Sequence, residues 1–302
     1  MFIFNPLWTI FILLMGGYIA KLIGVLKQKQ SRTLLDFAVT FTIPCLIFDG
    51  IYHLQLDMTL TLLILTGLLS SLFAGMIAVS VGYLASFSRS TLISMFLLSS
   101  FGNTLFIGIP VIVGIYDTSF IGKVVFYDAL ATALPFSLLA PFILSLGGNQ
   151  PLSLFQNLKR IMIFPPFIAL TLGFLCKVIE LPDFIFGPIR ALGNATTAVA
   201  LFAIGLGLGF GTIKNSYKSA TIVILCKTLI TPFLFIGILK IFNVEFSSNS
   251  IIAILESSMP TMALAGAMII RAKLDSNLAV SAIAFGILFS FVSIPLLCSI
   301  LL

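Results

Sequence analysis

Two long apolar stretches of this chain are each interrupted at their middle by proline and polar residues, one in either half. The first reads Ser99-Ser100-Phe101-Gly102-Asn103-Thr104-Leu105-Phe106-Ile107-Gly108-Ile109-Pro110, and the second Glu256-Ser257-Ser258-Met259-Pro260-Thr261-Met262-Ala263-Leu264-Ala265-Gly266. Both flanks of each break are apolar enough to enter a bilayer. Hydrocarbon offers no water to the backbone groups that a broken helix releases, so such breaks persist only where protein or a wet cavity surrounds them. Matching breaks in two halves of one chain point to a carrier with its substrate site at the interface of two repeats. The plainer alternative is a pair of proline kinks that hold no ligand.

Composition sets the environment. Of 302 residues, 60% are hydrophobic and 9% charged, and the mean hydropathy is +1.21. Soluble domains carry about 25% charged residues, so an all-α polytopic membrane protein is expected, with no sizeable aqueous domain. Cys45, Cys176, Cys226 and Cys298 lie in or at the ends of apolar segments and read as small apolar fillers. The first apolar run has neither a basic stretch before it nor a small-residue cleavage pattern after it, and reads as an uncleaved span. The net charge of +6 belongs to loops rather than to a nucleic-acid surface.

Stretches long enough to cross a bilayer, roughly 20 residues each, fall near 6–25, 32–52, 60–85, 91–115, 121–147, 161–179, 186–211, 219–242, 250–271 and 276–301. This predicts ten spans. The longest polar connection follows the fifth, dividing the chain into 1–148, a connection over 149–160, and 161–302. Basic residues test the layout. Loops and flanks after odd spans hold Lys21, Lys27, Lys29, Arg32, Arg89, Lys159, Arg160, Lys214, Lys218, Arg271 and Lys273; those after even spans hold Lys123, Lys177, Arg190 and Lys240. By the positive-inside rule the odd loops are cytoplasmic and both termini extracytoplasmic. Five spans per half make the second half an inverted copy of the first. Each broken span is also followed by an aspartate turn, at Asp117 and Asp275, and then by a span with proline in its later half. Gly67, Ser71 and Gly75 recur every four residues as a close-approach face. The alternating Gly205, Gly207, Gly209 and Gly211 read as thin helix for packing or bending.

No HExxH, GxSxG, P-loop or CxxC pattern is present. An enzyme is not expected, and neither is ATP coupling, a metal or a cofactor; any coupling falls to H⁺ or Na⁺. His53, Asp36 and Asp49 sit at span ends and read as solvated or interfacial. In the breaks, Pro110 and Pro260 open the hydrogen-bond ladder, while Asn103, Thr104 and Thr261 offer donors beside half-helix ends whose N-termini carry about half a positive charge. Charges inside spans are costly and are functional candidates by default. Asp128 and Lys227 read either as coupling groups or as a structural pair, and Glu256 either as a proton acceptor or as a solvated residue. Asn194, in Leu192-Gly193-Asn194-Ala195-Thr196-Thr197, and Thr40, Thr42 and Pro44 either line the cavity or bond within their own helices.

At these residues the chain resembles the auxin efflux carrier family, which includes plant PIN proteins and bacterial malate- or malonate-permease-like members. Gly102 to Pro110 is similar to that family's fourth-span motif, in which an asparagine precedes a G-x-P crossover. Leu192 to Thr197, followed by Leu201 to Leu208, resembles its seventh span, and Met259 to Thr261, Ala284 and Pro295 resemble its ninth and tenth. The resemblance implies two inverted five-span repeats with broken helices 4 and 9 crossing, and scaffold and transport domains each assembled from both repeats. It further implies frequent homodimers and a small organic anion, for example a carboxylate, bound near Asn103, Pro110 and Pro260. The long cytoplasmic loop of some plant members is absent, so the chain looks bacterial and of the inner membrane. The expected function is secondary transport by alternating access, proton-coupled or uniport. The alternatives are a sodium-coupled symporter of the related bile-acid type, by fold analogy, and a membrane scaffold that transports nothing.

Overall fold

The computed structural model describes residues 4–55, 57–147, 159, 162–209 and 213–302. Among them the chain is helical, with one isolated bridge and no strand. The predicted connection over 149–160 lies outside the described residues apart from Lys159, as does Gly211. The helices are α1 (Phe4–Leu22), α2 (Gln30–His53), α3 (Met58–Leu84), α4 (Arg89–Ser100), α5 (Thr104–Ile115) and α6 (Thr118–Ser145). After these come α7 (Pro165–Cys176), α8 (Asp183–Gly207), α9 (Ile213–Leu225, continued by Cys226–Ile230 and Thr231–Ile241), α10 (Ser248–Ser257), α11 (Ala263–Arg271) and α12 (Ser276–Leu301). Seven of them, α1, α2, α3, α6, α8, α9 and α12, are long and apolar enough to cross a membrane. The two interrupted stretches are each a pair of shorter helices: α4 and α5, then α10 and α11.

Helix ends are marked by residues that satisfy the groups an α-helix leaves open. The Asp57 carboxylate accepts the Thr59 N–H at 3.0 Å and starts α3, and Ser88 accepts from Thr91 at 3.2 Å to start α4. The two aspartates singled out in the sequence are both caps. Asp117 accepts from Ser119 at 2.7 Å before α6, and Asp275 from Leu278 at 2.9 Å before α12. At the other ends, Ser86, Asn243 and Lys273 have φ of 59°, 51° and 56° and close α3, α9 and α11 in left-handed turns. The residue after each one donates its N–H five residues back into the helix, to Gly82, Leu239 and Ile269.

Four helices widen into a π-turn just before a proline: Ala38–Thr42 before Pro44, Thr104–Gly108 before Pro110, Asp128–Ala133 before Pro135, and Cys226–Ile230 before Pro232. Proline has no N–H to give, and its ring collides with the carbonyl four residues earlier. Letting the ladder slip to i→i+5 accommodates both. In α2 the Ile43 N–H reaches the Ala38 carbonyl, and in α9 the Thr231 N–H reaches that of Cys226. Thr42 Oγ1 also bonds back to the Ala38 carbonyl at 3.3 Å, inside its own helix.

The chain forms two compact units. One comprises Met1–Leu56, Leu105–Ala129 and Leu158–Leu208; the other comprises Asp57–Thr104, Leu130–Asn157 and Gly209–Leu302. In the first, α1 and α8 meet backbone to backbone. A Cβ on Gly17 would stand 1.9 Å from the Phe202 carbonyl oxygen, and one on Gly205 1.9 Å from that of Leu14. Of the alternating glycines, Gly205 is thus used for close packing, as is Gly207, whose added Cβ would stand 2.8 Å from Ser31 Oγ. The same unit packs Gly173 of α7 on Ile51 and Gly193 of α8 on Leu46, both of α2. In the second unit, Met95, Leu97, Leu98, Phe101, Phe136, Ile269 and Leu278 form one apolar core around α4.

Candidate functional site

The second unit contains the crossing of the two broken stretches. Helix α4 ends at Ser100 and passes into extended backbone at Phe101, while α10 ends at Ser257, keeps a helical Ser258, and reaches extended backbone again at Met262 before α11. Those segments pair with one another. The Asn103 N–H donates to the Pro260 carbonyl at 2.7 Å, the Met262 N–H donates to that of Phe101 at 3.0 Å, and Gly102 lies opposite Thr261 as an antiparallel bridge. The Thr261 hydroxyl adds a bond to the Leu98 carbonyl at 3.1 Å. Each break thereby satisfies backbone groups that the other exposes, which is what an apolar surrounding demands.

Space for the crossing comes from small residues. A Cβ on Gly75 of α3 would stand 2.0 Å from Ser100 Oγ, and one on Gly102 would stand 2.8 Å from Lys227 Cε and 2.9 Å from the Met259 carbonyl oxygen. The Gly67-Ser71-Gly75 face is buried and seats the end of α4. Lys227, carried on the π-turn of α9, is 1% exposed. Its amine group donates to the Ser257 carbonyl at 2.8 Å and to Ser71 Oγ at 3.3 Å. The Lys227 amine group therefore stands at the carbonyl end of α10, where a helix carries partial negative charge.

Three polar atoms at the crossing are buried without a hydrogen-bond partner among the described residues: Asn103 Nδ2, Ser99 Oγ and Ser100 Oγ. Leaving a buried donor unmade costs about 1–3 kcal/mol. All three fall within five residues of one another. Thr104 Oγ1 bonds Thr132 Oγ1 at 3.2 Å, and Met262 starts α11 with no side-chain cap.

Of the residues proposed from sequence, Asn103, Thr104, Pro260, Thr261, Lys227 and Glu256 fall in this unit. Pro110, Asp128 and Asn194 fall in the other. Pro110 is the second residue of the straight part of α5, and Asp128 is buried at the first position of the α6 π-turn. Asn194 borders a cavity in the first unit with Asp49, His53 and Arg190. Sequence reasoning passed over Ser71, Gly75 and Ser257 as contacts of the crossing, although the four-residue spacing of Ser71 and Gly75 marked their face.

The sequence profile of the membrane transport proteins matches residues 2–298. The chain belongs to the auxin efflux carrier family of membrane transport proteins. It is 29% identical over 295 residues to an uncharacterized transporter of Methanothermobacter thermautotrophicus, covering 95% of each chain. It is 25% identical over 298 residues to the uncharacterized transporter MJ1031 of Methanocaldococcus jannaschii, again covering 95% of each. The family and these relatives make it a membrane transporter rather than an enzyme.

Proposed function

We propose that this transporter carries a small organic anion, a carboxylate, by alternating access around the crossing of its two broken helices. The observation that carries this reading is the set of unpartnered polar groups at Asn103, Ser99 and Ser100, buried where the extended segments meet. The Asn103 amide donates to an acceptor-rich ligand. The uncapped start of α11 adds the partial positive charge of a helix N-terminus. Ten spans as two inverted repeats follow if α7 and the α4–α5 and α10–α11 pairs each cross the membrane with the seven long helices. The charge bias supports both termini extracytoplasmic in the plasma membrane, and the homodimer rests on family resemblance.

Lys227 favours proton coupling or uniport over sodium. A bound sodium ion at the Ser257 carbonyl would have to displace the Lys227 amine group that already donates to it. Flux into proteoliposomes, with a panel of small carboxylates under pH and sodium gradients imposed separately, tests the whole reading. Saturable movement of one acid, indifferent to sodium and at least tenfold slower in Asn103→Ala, is expected. Sodium-driven flux would overturn the coupling assignment, and full activity of folded Asn103→Ala would overturn the site.

A further inference from the structure

The first unit contains a cavity of about 420 Å³ that the crossing does not use. Its walls are the last turns of α2, the start of α6 and the first half of α8. Where these helices touch they do so through glycine: a Cβ on Gly122 would stand 2.5 Å from the Gly50 carbonyl oxygen, and one on Gly193 3.2 Å from Leu46 Cα. Beside those contacts the walls part and present Asp49, His53, Arg190, Asn194, Thr118 and Ser119.

The polar groups are ordered around the guanidinium. Arg190 Nε stands 3.2 Å from both Asp49 carboxylate oxygens, and Nη2 is 3.5 Å from His53 Nε2. The guanidinium carbon lies 5.4 Å from the Phe186 ring centre, so an aromatic face and a carboxylate fix its position together. His53 Nδ1 meets the Asp49 carbonyl oxygen at 2.9 Å, which ties the imidazole to the same cluster. Arginine has five donor hydrogens, and Nη1 has no protein partner among the described residues. Holding helices together is a poor account of the pair. Arg190 is 53% exposed and Asp49 25%, and exposed ion pairs contribute about 0–1 kcal/mol, whereas the glycine contacts already join α2 to α6 and α8.

We propose that this cavity is a second anion site, separate from the crossing, which takes one carboxylate on the unused edge of Arg190. The Asn194 amide and the Thr118 and Ser119 hydroxyls complete its donor set. Asp49 is a positioning residue that holds the guanidinium against Phe186 and limits the net positive charge, so that binding is weak enough to be a staging step. By the charge bias of the loops this cavity faces the cell exterior, so the site collects ligand there. The choice of a carboxylate rests on the reading given for the crossing; the existence of an anion site does not.

The test uses malonate as probe on the purified full-length chain, by calorimetry. In Asn103→Ala, saturable malonate binding is expected to persist. Adding Arg190→Gln or, as a gentler change at an exposed position, Asn194→Ala should weaken it about tenfold, the loss expected for one charge-assisted hydrogen bond. Arg190→Lys should restore part of it. In flux assays Arg190→Gln alone should raise the half-saturating external concentration and leave the maximal rate near wild type, while Asn103→Ala lowers the maximal rate. The proposal is overturned if no malonate binding survives Asn103→Ala, or if it survives unchanged when Arg190 and Asn194 are both replaced. A normal Asn103→Ala flux combined with lost binding in Arg190→Gln would instead sink the crossing and leave this site standing.

Discussion

At Gly102 the crossing has no room for even one more carbon. A methyl group there meets a backbone carbonyl at 2.9 Å as well as the Lys227 stem at 2.8 Å. A flexible stem can yield, but a carbonyl fixed in a paired segment cannot. Gly102→Ala should therefore lower stability by about 1–3 kcal/mol, the range for overpacking, and suppress flux. Gly237 provides the contrast, because nothing lies within 4 Å of its added Cβ; Gly237→Ala should stay within about 0.5 kcal/mol of wild type. Melting temperatures in detergent decide the matter, and equal values for the two variants would show that the crossing tolerates strain. The residues of the break were legible in the sequence because proline and asparagine stand out in an apolar run. Their pairing was not, since Asn103 and Pro260 are far apart in the chain and nothing local says which carbonyl an exposed N–H will find. The Asp49–His53–Arg190 cluster was illegible for a similar reason. Each member is an ordinary polar residue near a span end, and only the fold brings Arg190 to Asp49.

At the scale of the helix, the π-turns decide which way the buried charges point. Asp128 opens one and Lys227 is the second residue of another. A π-turn holds one extra residue, so removing it rotates one flank against the other by about 100°, one residue's share of a 3.6-residue turn. Pro232→Ala restores an N–H and lets α9 close as a plain α-helix. The Lys227 amine group would then leave the Ser257 carbonyl, and the crossing would lose the donor on its negative helix end. Lower flux and a lower melting temperature are expected. Pro295, which lies inside α12 without a π-turn, should tolerate alanine with flux intact. Equal behaviour of the two variants would mean that the turn does not set the position of Lys227. The prolines announced these places in the sequence, as did the intramembrane charges. The widening itself was hidden, because proline permits a kink, a break or a π-turn, and packing selects among them.

For the whole molecule, orientation across the membrane rests on eleven basic residues flanking odd spans against four flanking even ones, and the structure accounts for several of the exceptions. Lys177 is spent on the end of α2: its ammonium donates to the carbonyls of Tyr52 at 3.1 Å, Ile51 at 3.3 Å and Leu54. Arg190 is engaged by Asp49, and Lys123 lies 4.6 Å over the Phe120 ring. Charges bound to the protein in this way are poor topology signals, whereas Lys27, Lys29, Arg32 and Arg89 are exposed in loops or at helix starts. The same criterion removes Lys21, bonded to the Leu208 carbonyl, and Lys218, over the Tyr217 ring, from the odd set, and the bias predicted to put the odd loops inside still becomes steeper. Single cysteines in a cysteine-free background read the orientation directly. Ala85 and Gln30 are exposed at the edges of loops predicted to be cytoplasmic, and Glu180 and Glu245 on loops predicted to be external. A maleimide that cannot cross membranes, applied to intact cells, should label Glu180→Cys and Glu245→Cys and reach Ala85→Cys and Gln30→Cys only after permeabilisation. The reverse pattern would invert the molecule and turn the Arg190 cavity from an entry site into an exit. A mixed pattern, such as labelling of Ala85→Cys with Glu180→Cys, would break the ten-span arrangement itself, because those loops would no longer lie on opposite faces.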